Sequence, residues 1–241
     1  MFKNKKVIIF DLDGTLIDSI GVWNDVDIEL IKQIGDGTVD DIDIAKQRDE
    51  KLKEFNKYED MYLEYCGFLK EKYHSNLSKE EVKKLRYEIA NDFLKNVIDY
   101  KTNAEKVLEK LKSKGFILVL ATTTNDHTID IYINENKNII NKAPLDKYFS
   151  LIYSKGAVKC LKPDPEIHYM IMEKLNVSKE ECLIVEDSLI GVEAANNAGI
   201  ECITIYDKFS DSNRDKINKL SIKQFLNFDE MLETIDKELN M

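Results

Sequence analysis

The chain has 241 residues, of which 43% are hydrophobic and 33% charged, and its formal net charge is −10. This apolar fraction, with only 3 Pro and 9 Gly, excludes a disordered chain and favours a helix-rich protein with one large domain or a core plus a smaller second domain. The acidic balance argues against a nucleic-acid or anionic-membrane surface, so neither partner is expected.

Cysteine usage and hydropathy predict a cytoplasmic protein. The four cysteines have no CxxC spacing and are interpreted as buried, reduced apolar residues. The first apolar run covers only residues 7–10, too short for a signal peptide, and no run approaches the roughly 20 apolar residues that span a bilayer. The three scattered histidines argue against a histidine-built zinc site.

The first predicted element is a buried strand, Val7 to Phe10, which ends at Asp11; Asp13 follows two positions later. Alternation along an extended chain places both carboxylates on the same side. In open α/β sheets, ligands bind at the carboxyl ends of the strands, so this pair marks a candidate site. Two acids this close raise each other's pKa and require a cation or a shared proton. The alternative, from this stretch alone, is a solvated Asp-Gly turn.

Helical periodicity replaces the strand pattern after Leu16. Four helices are predicted, over residues 22–34, 40–55, 58–73 and 78–98. Gly35 and Gly37 are predicted to end the first helix, and Ser78 with Glu81 forms a capping box at the start of the fourth. Residues 18–98 are therefore expected to form an all-α insert behind the first strand.

Strands and helices alternate from residue 104 onward. The predicted strands are 116–121, 151–153, 182–185 and 202–206, and the predicted helices are 104–114, 126–136, 165–175, 191–198 and 228–239. This alternation predicts the α/β class: a Rossmann-like, doubly wound parallel sheet formed by residues 1–17 and 99–241, with the inserted all-α domain. The polar segment 207–219 is predicted to be a solvated loop.

Side chains that can carry chemistry follow four of the predicted strands. They are Asp11 and Asp13 after the first, Thr122 after the second, Lys162 after the third, and Glu186 with Asp187 after the fourth. Carboxylates together with a phosphate are typical of Mg²⁺ sites, so the set predicts a magnesium site that receives a phosphoryl group. Considered one at a time, Thr122 and the Glu186-Asp187 pair would more often cap helices, and Lys162 would more often be a solvated loop residue.

The chemistry of each group suggests a role. The Asp11 carboxylate would attack phosphorus and form an aspartyl phosphate. Asp13 would protonate the leaving oxygen and later accept a proton from water. Lys162 and the metal would neutralise the phosphoryl oxygens, and Thr122 would donate its hydroxyl.

Four motifs together resemble the haloacid dehalogenase superfamily, in its phosphatase and β-phosphoglucomutase-like branch. They are Asp11-Leu12-Asp13-Gly14-Thr15, Leu120-Ala121-Thr122-Thr123-Thr124-Asn125, Lys162-Pro163-Asp164-Pro165, and Glu186-Asp187-Ser188 followed by Gly191. The resemblance covers the whole α/β core and implies that Asp11 is the nucleophile and Asp13 the general acid/base. It implies metal ligands at Asp11, Asp13 (through its carbonyl), Glu186 and Asp187, and substrate contacts at Gly14, Thr122, Thr123, Asn125 and Lys162.

The helical insert resembles the family's cap, a lid that excludes water and contacts substrate, with hinges near residues 16–20 and 96–102. The chain departs from the family pattern in two respects: the usual Pro-Gly is missing from the second hinge, and the loop with which β-phosphoglucomutases hold their sugar phosphate is not recognisable. Arg48 lies in that region and is interpreted as part of a solvated helix face, while Trp23 is interpreted as part of the insert's core.

These observations predict a monomeric, magnesium-dependent phosphatase that acts on a small phosphorylated metabolite through an aspartyl phosphate. One alternative is a phosphomutase with the same core, which the missing cap features disfavour. The other is a non-catalytic module that binds a phosphometabolite, which the presence of all four motifs disfavours. Specificity is assigned to the insert, so the substrate itself is not predicted.

Overall fold

A computed structural model describes residues 1–35 and 43–239 of the chain. The chain forms two compact units. One is the helical unit, Gly21–Val97, and the other is the sheet unit, formed by Met1–Ile20 together with the chain from Ile98 onward. Gly37 and the predicted helix start at residues 40–42 lie outside the described residues.

The sheet unit is built on a six-stranded sheet whose neighbouring strands are all parallel. Its strands are β1 (Val7–Phe10), β2 (Ile117–Ala121), β3 (Leu151–Tyr153), β4 (Cys182–Glu186), β5 (Cys202–Ile205) and β6 (Lys223–Phe225). They lie in the order β3-β2-β1-β4-β5-β6. This is a doubly wound order, so the predicted fold class is confirmed.

Helices surround the sheet or form the helical unit. In the helical unit they are α1 (Val22–Ile34), α2 (Ile44–Phe55), α3 (Met61–Lys72) and α4 (Lys79–Asn96). In the sheet unit they are α5 (Ala104–Ser113), α6 (Asp126–Asn134), α7 (Lys137–Lys142), α8 (Leu145–Tyr148), α9 (Glu166–Leu175), α10 (Leu189–Ala198), α11 (Arg214–Leu220) and α12 (Phe228–Leu239). The predicted capping box of Ser78 and Glu81 is present at the start of α4.

The central strands are apolar along their whole length because helices cover both faces of a parallel sheet. All four residues of β1 and all five of β4 are buried. On one face, Val7 and Ile9 belong to a core that also contains Ile171 of α9 and Val192 of α10. This packing fixes the strands, and hence the position of the residues that follow them.

The chain reverses its direction across the sheet at β1. From β1 it winds outward through β2 to β3, and then returns to the other side of β1 with β4. Phe10, the last residue of β1, is aligned with Leu120 of β2 and with Val185 of β4. Asp11 therefore emerges where the two halves of the sheet diverge, the position at which open α/β sheets form a ligand-binding crevice.

The helical unit contains a buried ionic cluster around Asp27. This carboxylate is fully buried and accepts hydrogen bonds from Arg86 at 2.7 Å and from Arg48 and Tyr65 at 3.2 Å. The solvated position predicted for Arg48 is therefore wrong: its side chain is only 15% exposed. Trp23 is not a core residue, since it is 39% exposed, and its ring lies under the Arg86 guanidinium.

Two further predictions are wrong. Segment 207–219 is not a loop, because Lys208–Asn213 forms a 3₁₀ helix that α11 and β6 follow. Fully buried Ile217 anchors α11, although Phe209 and Ile217, the two apolar residues of this segment, gave no periodic signal. Cysteines 66, 182 and 202 are buried as predicted, but Cys160 is exposed.

Among residues 1–35 and 43–239, no helix combines the length and the apolar character needed to cross a membrane.

Candidate active site

A buried ammonium group lies at the centre of the candidate site. Lys162 Nζ donates to Asp11 Oδ1 at 2.7 Å, to Glu186 Oε1 at 2.6 Å and to the Ala121 carbonyl at 2.9 Å. The lysine side chain is 3% exposed and that of Glu186 is 1% exposed. Its acceptors come from the ends of β1, β4 and β2, so one side chain joins the carboxyl ends of the three central strands.

Asp187, which follows β4, lies against the loop after β1. Its Oδ1 accepts a hydrogen bond from Thr15 Oγ1 at 2.7 Å. Gly14 in that loop has a φ of 81°, and a Cβ at this position would lie 2.6 Å from Asp187 Oδ2. Glycine is therefore required there both by the left-handed backbone and by the proximity of the carboxylate. The Gly14 amide donates to the Ile17 carbonyl at 3.0 Å, so it is engaged within its own loop.

The Asp13 carboxylate is held by two hydroxyl groups. Ser19 Oγ donates to its Oδ1 at 2.5 Å, and Thr124 Oγ1 donates to its Oδ2. The Asp11 carboxylate instead accepts its hydrogen bond from Lys162. The two acids after β1 thus occupy different environments, one beside a cation and the other beside neutral donors.

The threonine motif after β2 contributes to the site unevenly. Thr122 and Thr123 both line the cavity that contains Asp11 and Asp13. The Thr122 hydroxyl accepts from the Thr124 amide at 3.1 Å. Asn125 is exposed and does not line this cavity; its side chain accepts from the Thr128 amide at 2.9 Å and caps α6.

Glu186 is fixed on both carboxylate oxygens. One accepts from Lys162, and the other accepts from the Asp187 amide and the Ser188 hydroxyl, each at 3.1 Å. Gly191 in the first turn of α10 leaves room for this carboxylate, since a Cβ there would lie 1.9 Å from Glu186 Cδ. The glycine of the fourth motif is therefore explained by the bulk of the glutamate that it faces.

Burial and mutual repulsion raise the pKa of two of these acids. The pKa of Asp11 lies well above its usual value because of desolvation and the neighbouring Glu186 charge. Attraction to Lys162 lowers this pKa in part. Desolvation, and then repulsion by Glu186, raises the pKa of Asp187 to about 7. For Lys162, burial alone would lower the pKa, but attraction to Asp11 and Glu186 raises it.

Three of the acids form a group that suits a hard divalent cation. Oxygen atoms of Asp11, Glu186 and Asp187 all lie within 4.8 Å of one another. Three carboxylates lie near a single buried ammonium group here, so a cation would offset the repulsion that contributes to the raised pKa values of Asp11 and Asp187. Oxygen ligands of this kind are those that Mg²⁺ prefers, and the residues fit such an ion. Asp13 is not a member of this group.

The site opens into a cavity of about 260 Å³. Predicted residues that line it are Asp11, Asp13, Thr122, Thr123, Lys162 and Asp187. Residues that sequence reasoning did not assign to the site also line it, namely Ile20, Ser188, Ile190, Phe209 and Ser210. Ser188 belongs to the fourth motif, so the motif itself could have identified it. Phe209 and Ser210 lie in the segment predicted to be a loop, which gave no signal.

Buried His168 of α9 also lies near Lys162. Neither ring nitrogen has a hydrogen-bond partner among the described residues. Desolvation, assisted by repulsion from Lys162, lowers the pKa of this imidazole to about 3. His168 is therefore neutral at physiological pH.

Comparison with known proteins gives the family to which this α/β fold and its site belong. Residues 8–205 match the family model described as "Haloacid dehalogenase-like hydrolase". A "Phosphorylated carbohydrates phosphatase" of Thermotoga maritima is 30% identical over 82% of this chain and 83% of its own length. A "Phosphoglycolate phosphatase" of Aquifex aeolicus is 29% identical over 80% of this chain and 81% of its own.

Among solved structures, one from Thermotoga maritima that carries the provisional name beta-phosphoglucomutase has a TM-score of 0.74 and 26% identity. The match covers 97% of this chain and 99% of that one. The chain belongs to the haloacid dehalogenase-like hydrolases. The predicted family is thus confirmed, as is the prediction of a phosphatase-type hydrolase.

The contact between Gly191 and Glu186 gives a prediction about stability. Replacing a helical Gly by Ala ordinarily stabilises a protein by up to about 1 kcal/mol. We expect Gly191→Ala instead to lower the free energy of unfolding by about 2 kcal/mol, because the new methyl group must displace Glu186 from its hydrogen bonds. Urea denaturation of the purified protein measures the difference.

The matched control is Gly67→Ala in α3, where the Cβ would meet the Lys79 side chain at an ordinary 3.6 Å. This variant should be as stable as the parent or more so. Equal effects of the two substitutions would contradict the proposed close contact.

Proposed function

We propose that this chain is a magnesium-dependent phosphatase that hydrolyses a small phosphorylated metabolite through an aspartyl-phosphate intermediate. The observation that carries the proposal is the placement of Asp11. Its carboxylate lies in the cavity beside the Lys162 ammonium, and within 4.8 Å of the acidic oxygens of Glu186 and Asp187. A carboxylate held in this way can meet a phosphate dianion without prohibitive repulsion.

In the first half-reaction, an Asp11 oxygen attacks phosphorus. The new O–P bond forms as the bond from phosphorus to the alcohol oxygen breaks, and Asp13 gives that oxygen its proton. Lys162 stabilises the negative charge on the phosphoryl oxygens, and Thr122 offers a hydroxyl donor from the cavity wall. The alcohol then leaves, and the phosphoryl group stays on Asp11.

In the second half-reaction, Asp13 accepts a proton from a water molecule that attacks the same phosphorus. The bond between phosphorus and Asp11 breaks, which releases inorganic phosphate and restores the carboxylate. Ser19 and Thr124 hold the Asp13 carboxylate beside the cavity for both proton transfers. Their hydrogen bonds fix its orientation without adding a charge.

The metal ion would be held by Asp11, Glu186 and Asp187, together with Asp13 through its carbonyl as the family resemblance implies. When bound, it would supply positive charge that neutralises the phosphoryl oxygens and orients the phosphate. Thr15 fixes Asp187 for this role, since its hydroxyl donates to one carboxylate oxygen.

We also propose that the helical unit serves as the family's cap, which the sequence resemblance implies. The relatives named as phosphatases support hydrolysis, and the neighbour named as a β-phosphoglucomutase keeps a phosphomutase as the second candidate. The two candidates share Asp11 and Asp13 and differ in the product they release.

A product assay tests the proposed reaction. We expect the purified protein, screened with magnesium against sugar phosphates, nucleotides and phosphoglycolate, to release inorganic phosphate in step with substrate loss. Asp11→Asn should lower turnover by at least about 10³-fold because it removes the nucleophile, while the far-ultraviolet circular dichroism stays unchanged. An isomerised sugar phosphate without free phosphate would instead establish the phosphomutase, and full activity of Asp11→Asn would overturn the covalent route.

Metal removal tests the proposed ligands. We expect a chelator to abolish activity and magnesium to restore it. Independently of activity, saturating magnesium should raise the unfolding temperature, since about 2.7 kcal/mol of stability accompanies an ion at 100 times its dissociation constant. Asp187→Asn should remove this shift.

The matched control is Asp164→Asn, because Asp164 belongs to a second acidic group, with Cys160 and Glu166, that lies outside the cavity. This variant should keep the shift. If only Asp164→Asn loses the shift, the ion binds at this second group, and the proposed ligands are wrong.

A further inference from the structure

The cavity of the sheet unit has an apolar rim, formed by Ile20, Ile190 and Phe209. These side chains are 41%, 48% and 42% exposed, respectively. They come from three separate segments: the loop after β1, the first turn of α10 and the 3₁₀ helix after β5. Large apolar side chains that converge on one opening are a feature of ligand-binding surfaces rather than of ordinary protein surface.

Contacts place the rim directly beside the reactive groups. A Cβ on Gly14 would lie 2.9 Å from Ile20 Cγ1 and 2.6 Å from Asp187 Oδ2, so Ile20 and the Asp187 carboxylate lie against the same glycine. Ser210 Oγ is 3.5 Å from Asp187 Oδ2, which brings the segment of Phe209 to the same carboxylate. The rim also lines the same cavity as Asp13, which the proposed function assigns to the leaving alcohol oxygen.

The charged residues on the cavity lining also restrict which leaving alcohols can bind. Among the described residues that line it, Lys162 is the single cation, and the proposed function assigns it to the transferred phosphoryl group. The uncharged polar side chains on the lining all carry hydroxyls, and they are Thr122, Thr123, Ser188 and Ser210. A carboxylate or second phosphate on the leaving group would meet no further cation among these described lining residues.

We propose that this cavity selects phosphate monoesters of uncharged alcohols whose apolar surface packs on Ile190 and Phe209. The inference rests on the proposed function and names its substrate class. Apolar contact with the rim lowers the free energy of the bound ester in proportion to the area buried. Within the described part of the chain, the lining offers no second cation that would bind an ester with a second anionic group.

The test uses a series of n-alkyl phosphates, from ethyl to pentyl, whose leaving groups differ mainly in apolar area. We expect kcat/KM to rise about fourfold for each methylene group until the rim is covered. Phosphoglycolate has the same number of carbons as ethyl phosphate and carries a carboxylate. It should be hydrolysed at least tenfold less efficiently than the longer alkyl esters.

Substitutions in the rim separate contact from general reactivity. Phe209→Ser and Ile190→Ser should each reduce the gain per methylene to less than twofold. Both side chains are nearly half exposed, so the variants are expected to fold, which circular dichroism checks. The control is Ile222→Ser, an apolar residue 50% exposed and outside the cavity, which should keep the full gain.

Each outcome of this test has a defined meaning. An unchanged dependence on chain length in the rim variants, or a preference for phosphoglycolate over every alkyl ester, would overturn the inference and leave the phosphatase intact. Release of phosphate from any ester supports the proposed function regardless of ranking. If the protein hydrolyses none of these esters and none of the sugar phosphates of the product assay, both the inference and the proposed function are overturned.

Discussion

The contact of Lys162 with Asp11 and Glu186 is the interaction on which the site depends. A buried ammonium is costly unless acceptors surround it, and here three acceptors from β1, β2 and β4 do so. The same contact brings the carboxyl ends of the three central strands to one point. The apolar sheet can therefore end in charged residues, because the charges of neighbouring strand ends balance in part.

The charges at the strand ends do not balance fully, and the excess negative charge is what suits the site to a divalent cation. Asp11, Glu186 and Asp187 outnumber the single buried ammonium, and burial, followed by repulsion from Glu186, raises the pKa of Asp11 and Asp187. A divalent cation bound at this site would reduce the repulsion among the carboxylates, and the site could then bind a phosphate. Proteins commonly depart from their most stable arrangement at functional sites, and this cluster is such a departure.

Much of this arrangement could be predicted from the sequence, because short apolar runs ended abruptly in charged residues. Asp11 and Glu186 followed such runs, and the topology of parallel sheets brings strand ends together. Predictions failed where a residue's contacts come from segments distant in sequence. Arg48 pairs with Asp27, and Phe209 joins the cavity from a polar segment with no periodicity. Local patterns report strands and helices, but such contacts depend on how those elements pack.

The central claim is that Asp11 carries the phosphoryl group, and covalent trapping tests it most directly. Borohydride added during turnover reduces an acyl phosphate to an alcohol, which would convert the trapped aspartate to homoserine. Peptide mass spectrometry should then find homoserine at position 11 only when substrate and magnesium are both present. Turnover that continues with no modification at position 11, or modification of Asp13 or Asp187 instead, would contradict the account.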